Sequence, residues 1–306
     1  MTGPLSAISP FDNSTVSQMF TLAGKRVLLT GGSGFIGRQL RARLAQLGAS
    51  VVAPSSRDPV DENLFGDGFD HVFHLAGKTG VVDSWQEPLA YFTANTLGTA
   101  RLVEQCRKAG CSMTLASAYV YGLAKHLPIS EAHPVEPNNP YAVSKRLAEQ
   151  ICAFYAQSFG VNVVILRLFN IYGPHQSTNF LIPWIVSQVI DPNALEVIVQ
   201  DLSPRRDYLF ITDAVEAIVA SIATRSCAIF NVGSGVSYSV EEIIQAAEAA
   251  AGVNKPYRAV GTRRACEIDD VVADISAIEK ELGWRPSIPI EQGLREVVAS
   301  MANAAD

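Results

Sequence analysis

The chain has 306 residues, 48% of them hydrophobic and 18% charged, with a net charge of −6. That is an ordinary globular balance, long enough for one large or two modest domains. The acidic net charge without a basic stripe argues against nucleic acid. No apolar run reaches the roughly 18 residues that span a bilayer.

Residues 1–24 lack the basic start and apolar block of a secretory signal and read as an arm ahead of the domain. Ser14 to Leu22 could form a short helix docked on the body. Lys25 to Thr30 is an apolar, partly β-branched run that predicts a strand. Phe35 to Leu47 has helical spacing and stops at Gly48, a good C-cap. Ser50 to Ala53, His71 to Ala76, Met113 to Ser117 and Asn162 to Leu168 predict further strands. Helices are predicted from Pro88 to Ala109 and from about Tyr141 to Phe159. Strands alternating with helices mean a parallel sheet covered on both faces. The interval from Pro54 to Asp70 is too short for helix, strand and second helix, so one sheet strand is expected to be reduced or missing there.

Beyond Phe169 the pattern is less regular. Phe180 to Ile190, Asp213 to Ala223, Val240 to Ala251, Ser276 to Leu282 and Ile290 to Met301 predict helices, and Leu195 to Val199 and Ala228 to Val232 predict strands. The expected architecture is therefore α/β. Residues 25–169 are expected to form the first domain, whose first turn, described next, points to a dinucleotide. Residues 170–306 form mainly a smaller α/β substrate region, with some segments returning to the first core.

The turn Thr30-Gly31-Gly32-Ser33-Gly34-Phe35-Ile36-Gly37 joins the first strand to the first helix. Its glycines allow a tight turn and close backbone approach, and the helix N-terminus offers free N–H groups to a pyrophosphate. In this strand–turn–helix setting the pattern points to a dinucleotide. The second strand is followed by Pro54-Ser55-Ser56-Arg57-Asp58. Hydroxyls and an arginine where an acid would bind a ribose 2′-hydroxyl favour a 2′-phosphate, hence NADP over NAD, while Asp58 keeps NAD open.

Tyr141 and Lys145 lie four apart, on one face of a helix. An ammonium beside a phenol stabilises the phenolate and lowers the phenol pKa, which suits proton transfer at an alcohol oxygen. No metal is expected, since His71 and His74 fall on opposite faces of a strand. Cys106, Cys111, Cys152, Cys227 and Cys266 form no Cys-x-x-Cys pair and read as reduced thiols of a cytosolic chain. Arg205-Arg206 and Arg263-Arg264 suit a small anionic ligand.

Six segments in order carry a resemblance: the Thr30-to-Gly37 turn; His74-Leu75-Ala76-Gly77; Asn95-Thr96-Leu97-Gly98-Thr99; Ser117-Ala118-Tyr119-Val120-Tyr121-Gly122; Tyr141-x-x-x-Lys145; and Arg206-Asp207-Tyr208. Together they resemble the extended short-chain dehydrogenase/reductase family, the branch of nucleotide-sugar epimerases, dehydratases and reductases, over residues 25–300. The resemblance implies a Rossmann-type doubly wound sheet and a nucleoside-diphosphate sugar substrate. It implies Tyr141 as acid/base, Lys145 as its partner and a ribose ligand, and Ser117 on the same sugar oxygen. The cofactor would meet Gly31, Ser33, Gly34, Phe35, Ile36, Gly37, Ser55, Ser56, Arg57, Leu75, Ala76, Gly77, Asn95, Tyr141 and Lys145. The substrate would meet Thr79, Ser117, Ala118, Tyr119, Asn170, Arg206 and Arg264, with Asn179, Phe180 and Gln200 near the base. A homodimer through the Pro88 and Tyr141 helices is also implied.

Dehydratases of this family resemble one another in an Asp-Glu pair after the active-site hydroxyl residue. Here Ala118 and Tyr119 stand in those places, and Ala118 moves no proton. Two activities then share one catalytic set. One is NADPH-dependent reduction of a 4-keto-6-deoxy sugar nucleotide, favoured by Ser55-Ser56-Arg57. The other is 4-epimerisation. The intact Ser117, Tyr141 and Lys145 argue against a non-catalytic dinucleotide sensor.

Overall fold

The computed structural model describes residues 21–55, 62–66, 68–261 and 268–303. The first half lays down β1 (Arg26–Thr30), helix α1 (Phe35–Gln46), β2 (Ser50–Val52), β3 (His71–His74), helix α2 (Gly98–Ala109), β4 (Ser112–Ser117), helix α3 (Pro140–Phe159) and β5 (Val163–Leu168). The second half adds β6 (Asn170–Tyr172), helix α4 (Leu181–Ile190), β7 (Val197–Val199), β8 (Arg205–Phe210), helix α5 (Ile211–Ala220), β9 (Ala228–Val232), β10 (Ser237–Ser239), helix α6 (Val240–Ala251), β11 (Tyr257–Ala259), β12 (Asp270–Val271), helix α7 (Ser276–Leu282) and helix α8 (Ile290–Ala302).

A six-stranded sheet runs in the order β2-β1-β3-β4-β5-β9, every pairing parallel. Its strands are apolar on both faces, and alternate residues serve opposite cores. Val27, Leu29, Phe73, Val164 and Leu166 pack with Leu40 and Leu44 of α1 and Ala217 and Ile218 of α5. Leu28, Val72, Met113, Val163 and Ile165 pack with Leu102 and Val103 of α2 and Ala148 of α3 on the other side. Val27, Leu28 and Leu29 are fully buried. At about 1.5–3 kcal/mol for each such side chain, β1 outweighs the flexibility cost of the glycines that follow it, about 0.5–1 kcal/mol each.

β2 and β3 flank β1 on opposite sides, which opens a crevice at the C-terminal ends of β1 and β3, the usual ligand position in a doubly wound sheet. Between β2 and β3 the described residues hold one short helix, Glu62–Phe65, and part of the interval in which a reduced strand is expected, 56–61 and 67, lies outside the described residues. Leu22 is not helical; it is buried and its N–H donates to Leu47 O, while the rest of the expected Ser14 helix, up to residue 20, lies outside the described residues.

The predicted Pro88-to-Ala109 helix is three pieces: Pro88–Tyr91, a π-helical stretch Phe92–Leu97, and α2. Several elements had no sequence signal. They include the helix Val81–Gln86 and the strands β6, β8, β10, β11 and β12. β8 is the hub of the second sheet, paired parallel with β6 and β12 and antiparallel with β10. A separate apolar cluster of Ile185, Val189, Ile243, Ile244, Leu294 and Val297 joins α4, α6 and α8 around it. Segments of the second half also return to the first core: β9 closes the large sheet, and Ile278 and Trp284 pack under it.

Candidate active site

The glycine turn is built against the end of β3. Gly31 has φ +75°, and a β-carbon there would lie 2.7 Å from Ala76 N and 2.8 Å from the Leu75 carbonyl carbon. A side chain at Gly37 would collide with Gly31 O. The turn therefore stays close to the strand ends only as glycine. Gly34 precedes α1 with no side-chain cap, and the first turn of α1 holds no acid. Its N–H groups and positive dipole end suit a phosphate. Ser33 and Gly34 are exposed, and Phe35 and Ile36 half-buried. These features fit a dinucleotide, which when bound supplies or accepts a hydride. Ser55 is exposed beyond β2. Ser56 and Arg57 lie outside the described residues.

Helix α3 starts sharply. Asn139 accepts a hydrogen bond from Ala142 N at 2.9 Å, and Pro140 supplies the first helical φ. That start sets Tyr141 on the first turn and Lys145 one turn on, both buried. Lys145 Nζ donates to Ala116 O at 2.9 Å, which ties α3 to the end of β4. The next residue, Ser117, has a buried Oγ with no hydrogen-bond partner. Leaving a buried hydroxyl unpaired costs about 1–3 kcal/mol, a cost that a bound ligand oxygen would relieve. On the other side, a β-carbon at Gly77 would come within 3.5 Å of Lys145 Nζ. So β3, β4 and α3 bring Gly77, Ser117, Tyr141 and Lys145 together.

The electrostatics correct one expectation. Lys145 does not pull the Tyr141 phenol down. Burial pushes it well above its usual value, and the Tyr119 and Tyr91 phenols push the same way. Lys145 is itself lowered to about 8 by burial, against the opposing pull of Glu149. Taking either charge out of water costs more than the neighbour returns. Burial thus disfavours the charged form of the Tyr141 phenol.

Asn95 has a structural duty in the same region. It sits in the π-helical stretch, fully buried. Its Oδ1 accepts from Lys78 N at 2.8 Å, and its Nδ2 donates to Lys78 O and to Ser144 Oγ at 2.9 Å. That amide holds the loop after β3 against α3, while its oxygen keeps a second lone pair beside Gly77.

The substrate candidates divide. Thr79 is exposed; its carbonyl accepts from Tyr91 Oη at 2.7 Å. It lines a surface cavity with Lys78, Asp83, Gln86, Glu87 and Tyr91, and the Tyr91 ring lies 6.1 Å from the Tyr141 ring. Ala118 and Tyr119 follow Ser117 into the opening. Tyr119 Oη donates to Asn170 Oδ1 at 2.9 Å. Arg206 is half-buried, donating to Arg205 O and Ile268 O. Asn179, Phe180 and Gln200 are exposed at the entry of α4 and the end of β7. Arg264 lies outside the described residues. Among the described residues no group of His, Cys, Asp or Glu could hold a metal ion.

With that geometry in hand, comparisons with known proteins are decisive. The profile of the family described as GDP-mannose 4,6 dehydratase matches residues 57–297. The GDP-6-deoxy-D-mannose reductase of Pseudomonas aeruginosa is 32% identical over 295 residues, covering 90% of this chain and 96% of that one. The chain belongs to the extended short-chain dehydrogenase/reductases, in the nucleotide-sugar branch. UDP-glucose 4-epimerase 2 of Arabidopsis thaliana is 29% identical and covers 89% of this chain and 94% of its own. The structure of RMD from Pseudomonas aeruginosa complexed with NADPH superposes with a TM-score of 0.82 at 29% identity, covering 92% of this chain and 99% of that one.

This family member also contains a buried network that sequence reasoning missed. Arg167 on β5 donates to Glu149 on α3 at 3.1 and 2.8 Å and to Tyr121 Oη at 3.0 Å. His74 bridges Thr30 at 2.7 Å and Thr99 at 2.9 Å, and burial holds it neutral. An arginine inside an apolar strand was the available signal for the first. The second had none, because its partners are far apart in the chain.

Proposed function

We propose that this protein reduces the C4 ketone of a nucleoside-diphosphate 4-keto-6-deoxy sugar, with NADPH as the favoured reductant and NADH the alternative. The observation that carries this reading is geometric: the buried Tyr141 lies one helical turn from Lys145, whose Nζ is tied to Ala116 O, next in the chain to the unpartnered Ser117 Oγ. Reduction consumes a proton at the carbonyl oxygen, and a buried phenol is a ready donor. Ser117 holds the same oxygen, and Lys145 orients the site through Ala116 O. Arg206, with Arg264, supplies positive charge for a diphosphate. Ser55, Ser56 and Arg57 suit a 2′-phosphate.

Dehydration is disfavoured, because Ala118 offers no acid where that reaction needs one. Epimerisation remains the second reading, since UDP-glucose 4-epimerases share nearly 30% identity with this chain and Ser117, Tyr141 and Lys145 would serve them too. The chain is further proposed to be a homodimer through α3 and the Pro88 helix. Leu147 and Phe154, seven apart on one face of α3, are 39% and 56% exposed, and Leu97 is 44% exposed. Among the described residues no helix is long and apolar enough to cross a membrane, and a cytoplasmic location agrees with the thiols, three of which are buried and unpaired.

The test is incubation with a panel of 4-keto sugar nucleotides and each reduced nicotinamide, followed by absorbance. Stoichiometric oxidation of NADPH by a 4-keto-6-deoxy sugar nucleotide is expected. If no ketone drives oxidation while a sugar nucleotide turns into its C4 epimer, the reductase reading is lost.

A further inference from the structure

Tyr119 has a backbone conformation that a bulky side chain resists. Its φ is +62°, in the left-handed region where glycine is at ease and a β-carbon is crowded. Such residues persist where the surrounding structure holds a side chain in place for use. The effect here is visible. Val120 and Tyr121 point into the core, while Tyr119 keeps 46% of its surface open at the mouth of the candidate site. Its ring centroid lies 5.9 Å from that of Tyr141, tilted by 55°. Its hydroxyl donates to Asn170 Oδ1 at 2.9 Å, and the Asn170 amide is in turn fixed by donating to Asp207 O at 3.1 Å. The phenol therefore reaches from the end of β4 to β6. It crosses the opening between the two halves of the chain through which a sugar would approach Tyr141.

We infer that Tyr119 is a specificity-determining residue that pins the keto-sugar in one orientation, its ring against the apolar C–H face of the 6-deoxy pyranose, an inference that rests on the ketoreductase reading. In that reaction the carbonyl carbon gains a hydride from the reduced nicotinamide and the oxygen gains the Tyr141 proton. The hydride arrives from a fixed side. Which C4 epimer forms then depends only on which face of the ring is presented. An epimerase must let the keto-sugar turn over between two hydride transfers. A phenol anchored on Asn170 over the catalytic phenol takes up the room that turning needs. Ser117, Tyr141 and Lys145 are common to both outcomes; Tyr119 separates them.

Two variants test this. Tyr119→Phe keeps the ring and loses the bond to Asn170. Tyr119→Gly removes the ring, and glycine accepts φ +62° without strain, which offsets part of the lost contacts, and a cooperative thermal melt confirms that it folds. Each is incubated with NADPH and whichever 4-keto-6-deoxy sugar nucleotide of the GDP, UDP and dTDP series the wild type reduces, and the C4 epimers of the product are resolved by NMR. The wild type gives one epimer, and Tyr119→Phe, its ring no longer anchored on Asn170, gives the same epimer in a lower ratio. Tyr119→Gly gives both, the ratio falling roughly tenfold or more. A single epimer from an active Tyr119→Gly protein overturns the inference and leaves the reductase intact. A folded Tyr119→Gly protein with no turnover also overturns it, since the phenol would then belong to the chemistry rather than to orientation. A wild type that interconverts C4 epimers without net NADPH use overturns the reductase reading and the inference together, and that failure appears in the wild-type arm alone.

Discussion

Ser117 and Lys145 both bear a cost within the fold, and each cost can be measured. The Ser117 hydroxyl is buried without a partner. Ser117→Ala removes an unsatisfied group, so its thermal midpoint is expected to equal or exceed that of the wild type. Its turnover is expected to fall about 10–1,000-fold, as when one hydrogen bond to a reacting oxygen is lost. A drop in stability together with full activity would make Ser117 a structural residue. Lys145 carries its cost in pH. Burial lowers its pKa from 10.5 to about 8, so it loses its proton in the fold well before it does in the unfolded chain. Between the two values the unfolded chain binds more protons, and this group's contribution to stability rises with pH. Below about 8 the buried charge is fully present and fully penalised. Thermal melts should therefore find Lys145→Met more stable than the wild type near neutral pH, with the gap closing toward the unfolded value. Under the proposed function catalysis runs the other way, since it would use the charged form. The wild-type pH–rate profile should fall as pH rises through about 8, and a profile flat to the unfolded pKa would count against the buried ammonium.

At the scale of elements, α3 decides the site, and two devices set its position. The Asn139 cap and Pro140 fix where the helix begins, so Tyr141 and Lys145 share a face toward the end of β4. The Arg167–Glu149 pair then locks the next turn to β5, with side chains only 4% and 1% exposed. Such a pair is weak evidence of net stability, but breaking it strands a buried charge. Glu149→Gln is expected to lower unfolding free energy by about 3–5 kcal/mol. It should also move the alkaline limb of the activity profile to lower pH, because Glu149 is the group that opposes the burial of Lys145. Denaturant melts and the pH profile together separate this from a purely structural role, which would move only the first. The π-helical stretch is the second element with a purpose. It brings Asn95 to the Lys78 backbone and Ser144 at once, and an extra residue per turn in an α-helix is a common way to aim one side chain.

For the whole molecule, the proposed dimer gives a direct measurement. Phe154→Arg places a charge on the apolar face of α3 and should turn a dimer into a monomer in sedimentation equilibrium; a wild type that is monomeric at assay concentration would remove the proposal. Much of this architecture was legible in the chain itself. The parallel sheet, the glycine turn and most helices follow from local periodicity and from glycine's freedom at φ +75°, because buried strands and amphipathic helices carry their environment in their own spacing. The strands around β8 were not legible. β6, β10 and β12 have two or three residues each, too few to show a period, and exist only because β8 offers them partners. The site divides in the same way. The order of six local motifs was enough to carry the resemblance to the nucleotide-sugar branch, a family the relatives then showed, and to single out Ser117, Tyr141 and Lys145 as its proposed catalytic set. Only the tertiary structure decided the burial of Tyr141, the structural duty of Asn95 and the reach of Tyr119 to Asn170. Burial and contacts between residues far apart in the chain set these, and no spacing along a sequence encodes how deeply a group will lie.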